Sequence, residues 1–239
     1  MRLLAVETST LTGAVALLDG PSVVGESRLN VAVTHGERLL AAVDGILREA
    51  RWRLEDVDAL AVAVGPGSFT GLRIGVSTMK GLAFATGKPL VGIPTLDALA
   101  WTLPFAAYPV CPILDAKKGE VYTALYRTLE GRLCRLSPYR VVDPRTLADE
   151  LRRDPGGPVV FLGDAVAPFA EVLVRTLGMA ARLGPAGCRL PSAASLGDLA
   201  VQALGRGERA DPAALVPLYV RRSEAELARE ARGHAGHAR

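Results

Sequence analysis

Gly65-Pro66-Gly67-Ser68-Phe69-Thr70-Gly71-Leu72-Arg73-Ile74-Gly75 is the stretch on which the reading of this 239-residue chain turns. The apolar run Leu60 to Val64 before it has the composition of a buried strand, and Arg73 to Ala85 after it has that of a helix. Three glycines and a proline within the first seven residues predict a tight, backbone-exposed turn. A phosphate-cradling loop of the G-x-x-x-x-G-K-[ST] type needs a lysine and a spacing that this stretch lacks, so that reading is rejected. The structural reading is that Gly65 and Gly67 permit the turn. Small residues at Gly71, Gly75, Thr78, Gly81 and Ala85 then let another helix approach closely, either helix 36–50 of this chain or one from a second protein. Ser68 reads as the helix cap.

Working outward, Leu3 to Glu7, Gly13 to Leu18 and Ser22 to Leu29 read as three strands, with Asp19-Gly20 turning between the last two. Thr34-x-x-Glu37 is a capping box for a helix whose apolar face is Leu39, Leu40, Val43, Ile46, Leu47 and Ala50. The strand at 60–64, the glycine turn and its helix, a strand at Leu90 to Ile93 and a helix after Pro94 to about Leu103 follow. From Pro109 the order begins again: strands Val110 to Asp115 and Glu120 to Tyr126, a turn at Glu130-Gly131 into a third, helix Pro144 to Arg153, strand Val159 to Leu162 and helix Ala165 to Leu177. An α/β pattern of β-β-β-α-β-α occurring twice predicts two lobes, 1–103 and 104–222. It resembles the actin-like ATPase (ASKHA) architecture of sugar kinases, Hsp70 and actin. A last helix, 193–204, is capped by Ser192 and is free to pack back on the first lobe; 223–239 lacks an apolar stripe and reads as a flexible tail.

Apolar residues make up 49% of the chain, enough for a sizeable core. No apolar run reaches the roughly 18 residues that span a bilayer, and Glu7 comes too early for a signal-peptide core, so a cytoplasmic location is expected. Cys111, Cys134 and Cys188 are widely spaced and read as reduced structural thiols. The net charge of +3 lies mostly in the residues from Arg221 onward, which hold five Arg and three Glu, and no basic stripe interleaved with aromatics appears in the body. Any grip on nucleic acid is expected to come largely from a partner.

Chemistry-bearing patterns are sparse. No G-x-S-x-G is present, and of three histidines two, His234 and His237, lie in the tail. His35 has Leu39 one helical turn on, so it forms no metal-binding pair and reads as structural. In an actin-like fold, nucleotide phosphates sit between two hairpin loops, here Glu7-Thr8-Ser9-Thr10 and Asp115-Ala116-Lys117-Lys118-Gly119. One reading keeps a weak nucleotide cleft of Glu7, Thr8, Ser9, Asp115 and Lys117, with Glu7 or Asp115 near magnesium. The plainer one is that both acids end strands and cap turns.

Four motifs in order, Leu4-Ala5-Val6-Glu7-Thr8-Ser9, Thr34-His35-x-x-Arg38-Leu39-Leu40, Gly65 to Gly75 and Asp115-Ala116-x-x-Gly119-Glu120-Val121-Tyr122, resemble the TsaB (YeaZ) family of tRNA threonylcarbamoyladenosine biosynthesis proteins. Pro217-Leu218-Tyr219-Val220-Arg221 is similar to the short motif that closes such domains. The chain departs from the pattern at Glu7, where Asp is common, and at Lys117, where Arg is usual. The catalytic relative, TsaD, carries H-x-E-G-H where this chain has Thr95-Leu96-Asp97-Ala98-Leu99, so no metal site is expected. The resemblance implies a catalytically silent subunit that binds a TsaD-like transferase, helps recruit a TsaE-like ATPase, reaches tRNA indirectly, pairs with itself when alone and needs no cofactor. The partner face is expected on helices 36–50 and 71–86, with Leu39, Val43, Leu47, Ile74, Thr78, Met79 and Leu82 as candidates; some of these must pack inward on the sheet, which sequence does not sort, and Val43 is taken as outward. The alternative is an independent actin-fold small-molecule kinase or ATPase using Asp115 as base.

Overall fold

Alternation along the first strand sets the layers. Leu4 and Val6 of β1 (Arg2–Glu7) face one way and Leu3 and Ala5 the other, and all four are fully buried. The computed structural model describes residues 1–30, 35–153 and 156–221, without the side chains of 29–30 and 35–37. The capping box at Thr34, the side chain of His35 and the tail 223–239 with its two histidines lie outside the described residues.

The first sheet joins β1 to β2 (Thr12–Asp19), β3 (Ser22–Asn30), β4 (Ala59–Gly65) and β5 (Leu90–Pro94) in the order β3-β2-β1-β4-β5. The first three strands form an antiparallel meander, and β1, β4 and β5 run parallel. Parallel neighbours need crossovers, and α1 (His35–Glu49) and α2 (Phe69–Thr86) supply them over the Leu4 and Val6 face. The opposite face is rich in alanine, with Ala5, Ala16, Ala59, Ala61 and Ala63, and α6 (Ala193–Gly205) lies on it through Ala193, Leu196, Ala200 and Ala203.

The second sheet repeats the plan with β6 (Val110–Asp115), β7 (Val121–Thr123), β8 (Tyr126–Leu129), β9 (Arg132–Arg135), β10 (Arg140–Val142), β11 (Val159–Leu162) and β12 (Ala181–Leu183). Its path is β10-β7-β6-β11-β12, with β8 joining β6 and β9. The single strand expected over Glu120 to Tyr126 is divided. At Leu125 the backbone N–H donates to Ser137 Oγ (2.9 Å) and the carbonyl accepts from Leu136 N (2.7 Å), which turns the chain from one partner to another. β12 is too short for a periodic signal and was not anticipated. Helices α4 (Pro144–Arg153) and α5 (Val166–Leu177) share a core with β6 and β11.

The closing helices are exchanged between the repeats. α3 (Thr95–Ala100) comes from the first, yet Leu96, Leu99 and Ala100 pack with Val110, Leu114, Tyr126 and Leu162 of the second sheet, while α6 covers the first. Trp101 Nε1 donates to Asp198 Oδ2 (2.6 Å), joining the two helices.

Four of the partner-face candidates need correction. Leu39, Val43, Leu47 and Met79 are buried among Leu4, Val6, Leu60 and Val62, and Ile74 and Leu82 pack half-buried against the same cluster; Thr78 is also half-buried. The outward positions of α2 are instead Arg73, Ser77, Gly81, Phe84 and Ala85. α2 is apolar or small nearly all round, so its sequence carries no polar stripe to mark the solvent side. Val43→Arg is therefore a core substitution, expected to destabilise the chain by about 3–4 kcal/mol through a buried unpaired charge. Urea unfolding checks this, and an unchanged midpoint would put Val43 at the surface.

Candidate functional site

Each repeat opens with a strand that ends in an acid, Glu7 on β1 and Asp115 on β6. The hairpins that follow face each other across a cleft of about 520 Å³ between the lobes, walled by Ser9, Thr10, Ser68, Phe69, Asp115 and Tyr219 among others.

The glycine stretch decides the first wall. Ser68 N donates to the Ser9 carbonyl (2.6 Å), and Ser68 Oγ accepts from Gly71 N (3.3 Å), capping α2 as expected. A methyl group on Gly67 would fall inside the Ser9 carbonyl, on Gly71 inside the Thr8 carbonyl, and on Gly75 inside Thr8 Oγ1. The close approach that these glycines allow is thus to the hairpin of the same lobe rather than to another helix, and Gly81 meets nothing within 4 Å. Thr8 and Ser9 are each 1% exposed as a result. Glu7 lies wholly beneath the cleft, where Oε1 accepts from Ser9 N (2.5 Å), and Oε2 and the nearby strand-end hydroxyl Thr8 Oγ1 have no partner among the described residues.

The second wall is held by Lys117. Its backbone N–H donates to Asp115 Oδ1 (2.7 Å) and its Nζ to Oδ2 (2.6 Å), while Asp115 N donates to Asp164 Oδ1 (3.0 Å). Lys117 and Lys118 adopt φ of +64° and +56° ahead of Gly119, a conformation that costs a residue with a Cβ about 1–2 kcal/mol. Burial alone would raise the Asp115 carboxyl, but the hydrogen bonds and charge of Lys117 hold it below the ordinary range. Burial raises Asp164 above it.

Of the predicted cleft residues, Ser9, Asp115 and Lys117 come together on the cleft lining, whereas Glu7 and Thr8 are sealed below it. Asp164, Tyr122, Phe69, Tyr219 and Arg221 also line the cleft and were missed as a set. The signal for Asp164 was the repeat itself. Gly163 directly follows β11 with φ +108°, as Gly65 ends β4 with φ +106°, and Asp164 comes next.

The positions aligned with the metal motif are absorbed into packing. Thr95 and Leu99 are fully buried, and Asp97 Oδ1 accepts from Tyr126 Oη (2.7 Å) and Tyr139 Oη (2.6 Å), fastening α3 to the second lobe. Among the described residues no group of three His, Cys, Asp or Glu could hold a metal ion. The three cysteines are free, and burial pushes the Cys111 thiol up to about 11 beside Thr123 Oγ1.

The two-lobed fold and its cleft define the class. YeaZ from Pseudomonas aeruginosa superposes with a TM-score of 0.77 at 31% identity, covering 91% of this chain and 99% of that one. At the level of fold alone, the chain is also similar to the ethanolamine utilization protein EutJ from Carboxydothermus hydrogenoformans (TM-score 0.56, 14% identity, 83% and 89% covered). It is therefore an actin-like ATPase fold, and the family model described as TsaD, tRNA N6-adenosine threonylcarbamoyltransferase, matches residues 30–229. Two proteins named tRNA threonylcarbamoyladenosine biosynthesis protein TsaB are 34% identical over 228 residues (Bacillus subtilis, 95% of this chain and 96% of that one) and 31% identical over 228 residues (Escherichia coli, 94% and 96%). The chain belongs to the TsaB family.

Burial pushes the Glu7 carboxyl up to about 7 from an ordinary 4.5, against the pull of the Ser9 N–H. A folded-state value above the unfolded one gives a contribution to stability that is whole below about pH 4.5. It is lost as pH rises to about 7, where Glu7 ionises in the fold. The loss is of order 3 kcal/mol. Glu7→Gln is expected to flatten the stability profile between these limits and to be the more stable protein at pH 8, as read by denaturant midpoints; parallel profiles would contradict the burial argument.

Proposed function

We propose that this chain is a non-catalytic subunit for N6-threonylcarbamoyladenosine formation on tRNA, at the adenosine next to the anticodon. It binds and activates a TsaD-like transferase, helps recruit a TsaE-like ATPase, and reaches tRNA through that complex. The transferase moves threonylcarbamoyl from its adenylate to N6 of the adenosine and holds the metal. The observation that carries this reading is the chemistry of Thr95, Asp97 and Leu99. A threonine and a leucine offer no metal-binding nitrogen where the transferase motif has histidines, and the carboxylate between them is taken up by Tyr126 and Tyr139. A fold kept while such ligands are replaced points to function at a surface.

That surface is assigned to the outer faces of α1 and α2, where Leu40 and Phe84 are 51% and 66% exposed beside half-buried Ile74, Thr78 and Leu82. Two helices packing on two from a similar subunit form a four-helix seam, and without that partner the same face pairs with a second copy of this chain. A cytoplasmic site of action follows from the tRNA substrate, and no helix among the described residues is long and apolar enough to cross a membrane. No cofactor is assigned beyond weak nucleotide binding in the cleft. A kinase or ATPase reading rests on that cleft and on Asp115, but it requires Lys117 to release the carboxylate.

Light scattering tests the proposal. The chain alone should run as a dimer and, mixed with the transferase, as a mixed complex. Phe84→Arg should weaken that complex by at least about tenfold with the circular dichroism spectrum unchanged. A mixture that stays separate, or a Phe84→Arg variant that binds like its parent, would overturn the surface assignment.

A further inference from the structure

After α6 the chain returns over the first lobe as a strap. Ala210 N donates to the Leu90 carbonyl (2.8 Å), and Lys80 Nζ donates to the carbonyls of Ala213 (3.2 Å) and Leu215 (3.0 Å). Leu215 and Leu218 join the first core, and Leu218 N donates to the Val64 carbonyl (2.6 Å). Tyr219 lies against Phe69 with ring centroids 5.1 Å apart, and its hydroxyl accepts from Arg73 Nε (3.1 Å). Two residues later the strap crosses to the other lobe. Arg221 Nη1 donates to the Ala116 carbonyl (2.9 Å), and the guanidinium pairs with Glu120.

We infer that Arg221 is an interlobe latch: it fastens the second-lobe hairpin to a strap anchored on the first lobe and so sets how far the cleft opens. The lobes have a separate tie in Trp101 and Asp198, which lie outside the cleft lining, so releasing Arg221 leaves a pivot in place. The latch is built to matter. Both partners are more buried than a surface ion pair, at 23% and 35% exposed side chain, which limits screening. The hairpin it grips carries the left-handed backbone at Lys117 and Lys118, which persists only where surrounding contacts hold it. Ala116 N also donates to the Glu120 carbonyl (2.9 Å), so both Arg221 contacts fall on one turn and would move with Asp115 and Lys117. This inference is independent of the partner assignment above.

Spin labels at Val24→Cys on β3 and Arg127→Cys on β8, with Cys134 and Cys188 replaced by alanine and the labelled chain diluted into unlabelled chain so that pairs between copies do not contribute, read the lobe separation. The parent should give one narrow distance distribution. Arg221→Ala and Glu120→Ala should each lengthen and broaden it, and the paired swap Arg221→Glu with Glu120→Arg should restore it in part, because it renews the ion pair but leaves the Ala116 carbonyl without its donor. Amide exchange over 114–121 should speed up by about tenfold in the single variants while β4 and β5 keep their protection. Unchanged distances, or exchange that rises equally in both lobes, would overturn the latch.

Discussion

Gly67, Gly71 and Gly75 lack side chains because the hairpin after β1 occupies the space those side chains would fill. This contact positions much else. It fixes where α2 starts, it covers Thr8 and Ser9, and it seals Glu7 away from water. It also turns the Ser9 carbonyl toward Ser68 N, while Ser9 N donates to Glu7 Oε1, so the Ser9 backbone is already in use on both sides. The stretch that looks most like a ligand loop is a packing device, and its chemistry is that of two backbones brought within hydrogen-bonding distance.

The second hairpin is occupied by different means. Asp115 takes two hydrogen bonds from Lys117, and the turn is held from outside by Arg221. The chain's own groups thus occupy part of each loop, while Glu7 Oε2, Thr8 Oγ1 and Ser9 Oγ have no partner among the described residues. The helix that would carry a metal motif has likewise become a fastener, with Leu96 and Leu99 in the second core and Asp97 between two tyrosine hydroxyls. Leu96, Asp97 and Leu99 thus tie α3 to the second lobe.

Much of the fold was legible because its buried strands are short, continuous apolar runs. The runs Leu3 to Val6, Gly13 to Leu18 and Leu60 to Val64 leave little choice of element, and the duplicated order exposed the two sheets. The break at Leu125 was not legible, because it depends on Leu136 and Ser137, which reach it from the connection between β9 and β10. Nor was β12, three residues held only by pairing with β11. At the site, Ser9, Asp115 and Lys117 were found through the acids that end β1 and β6. The inward turn of Val43 and Met79 was not, because an apolar side chain reads alike whether it meets its own sheet or a partner. Arg221 was quoted as part of a closing motif, but its reach to Ala116 spans 105 residues of sequence and leaves no local trace.

The central claim is that the chain contributes a surface and not a reacting group. The direct measurement is tRNA threonylcarbamoyladenosine formation reconstituted with the transferase and the ATPase, comparing this chain with a folded variant carrying Glu7→Gln, Asp115→Asn and Asp164→Asn together. The account predicts that the variant supports modification at close to the parent rate. A collapse of the rate with the complex still assembled would place chemistry in the cleft and contradict it.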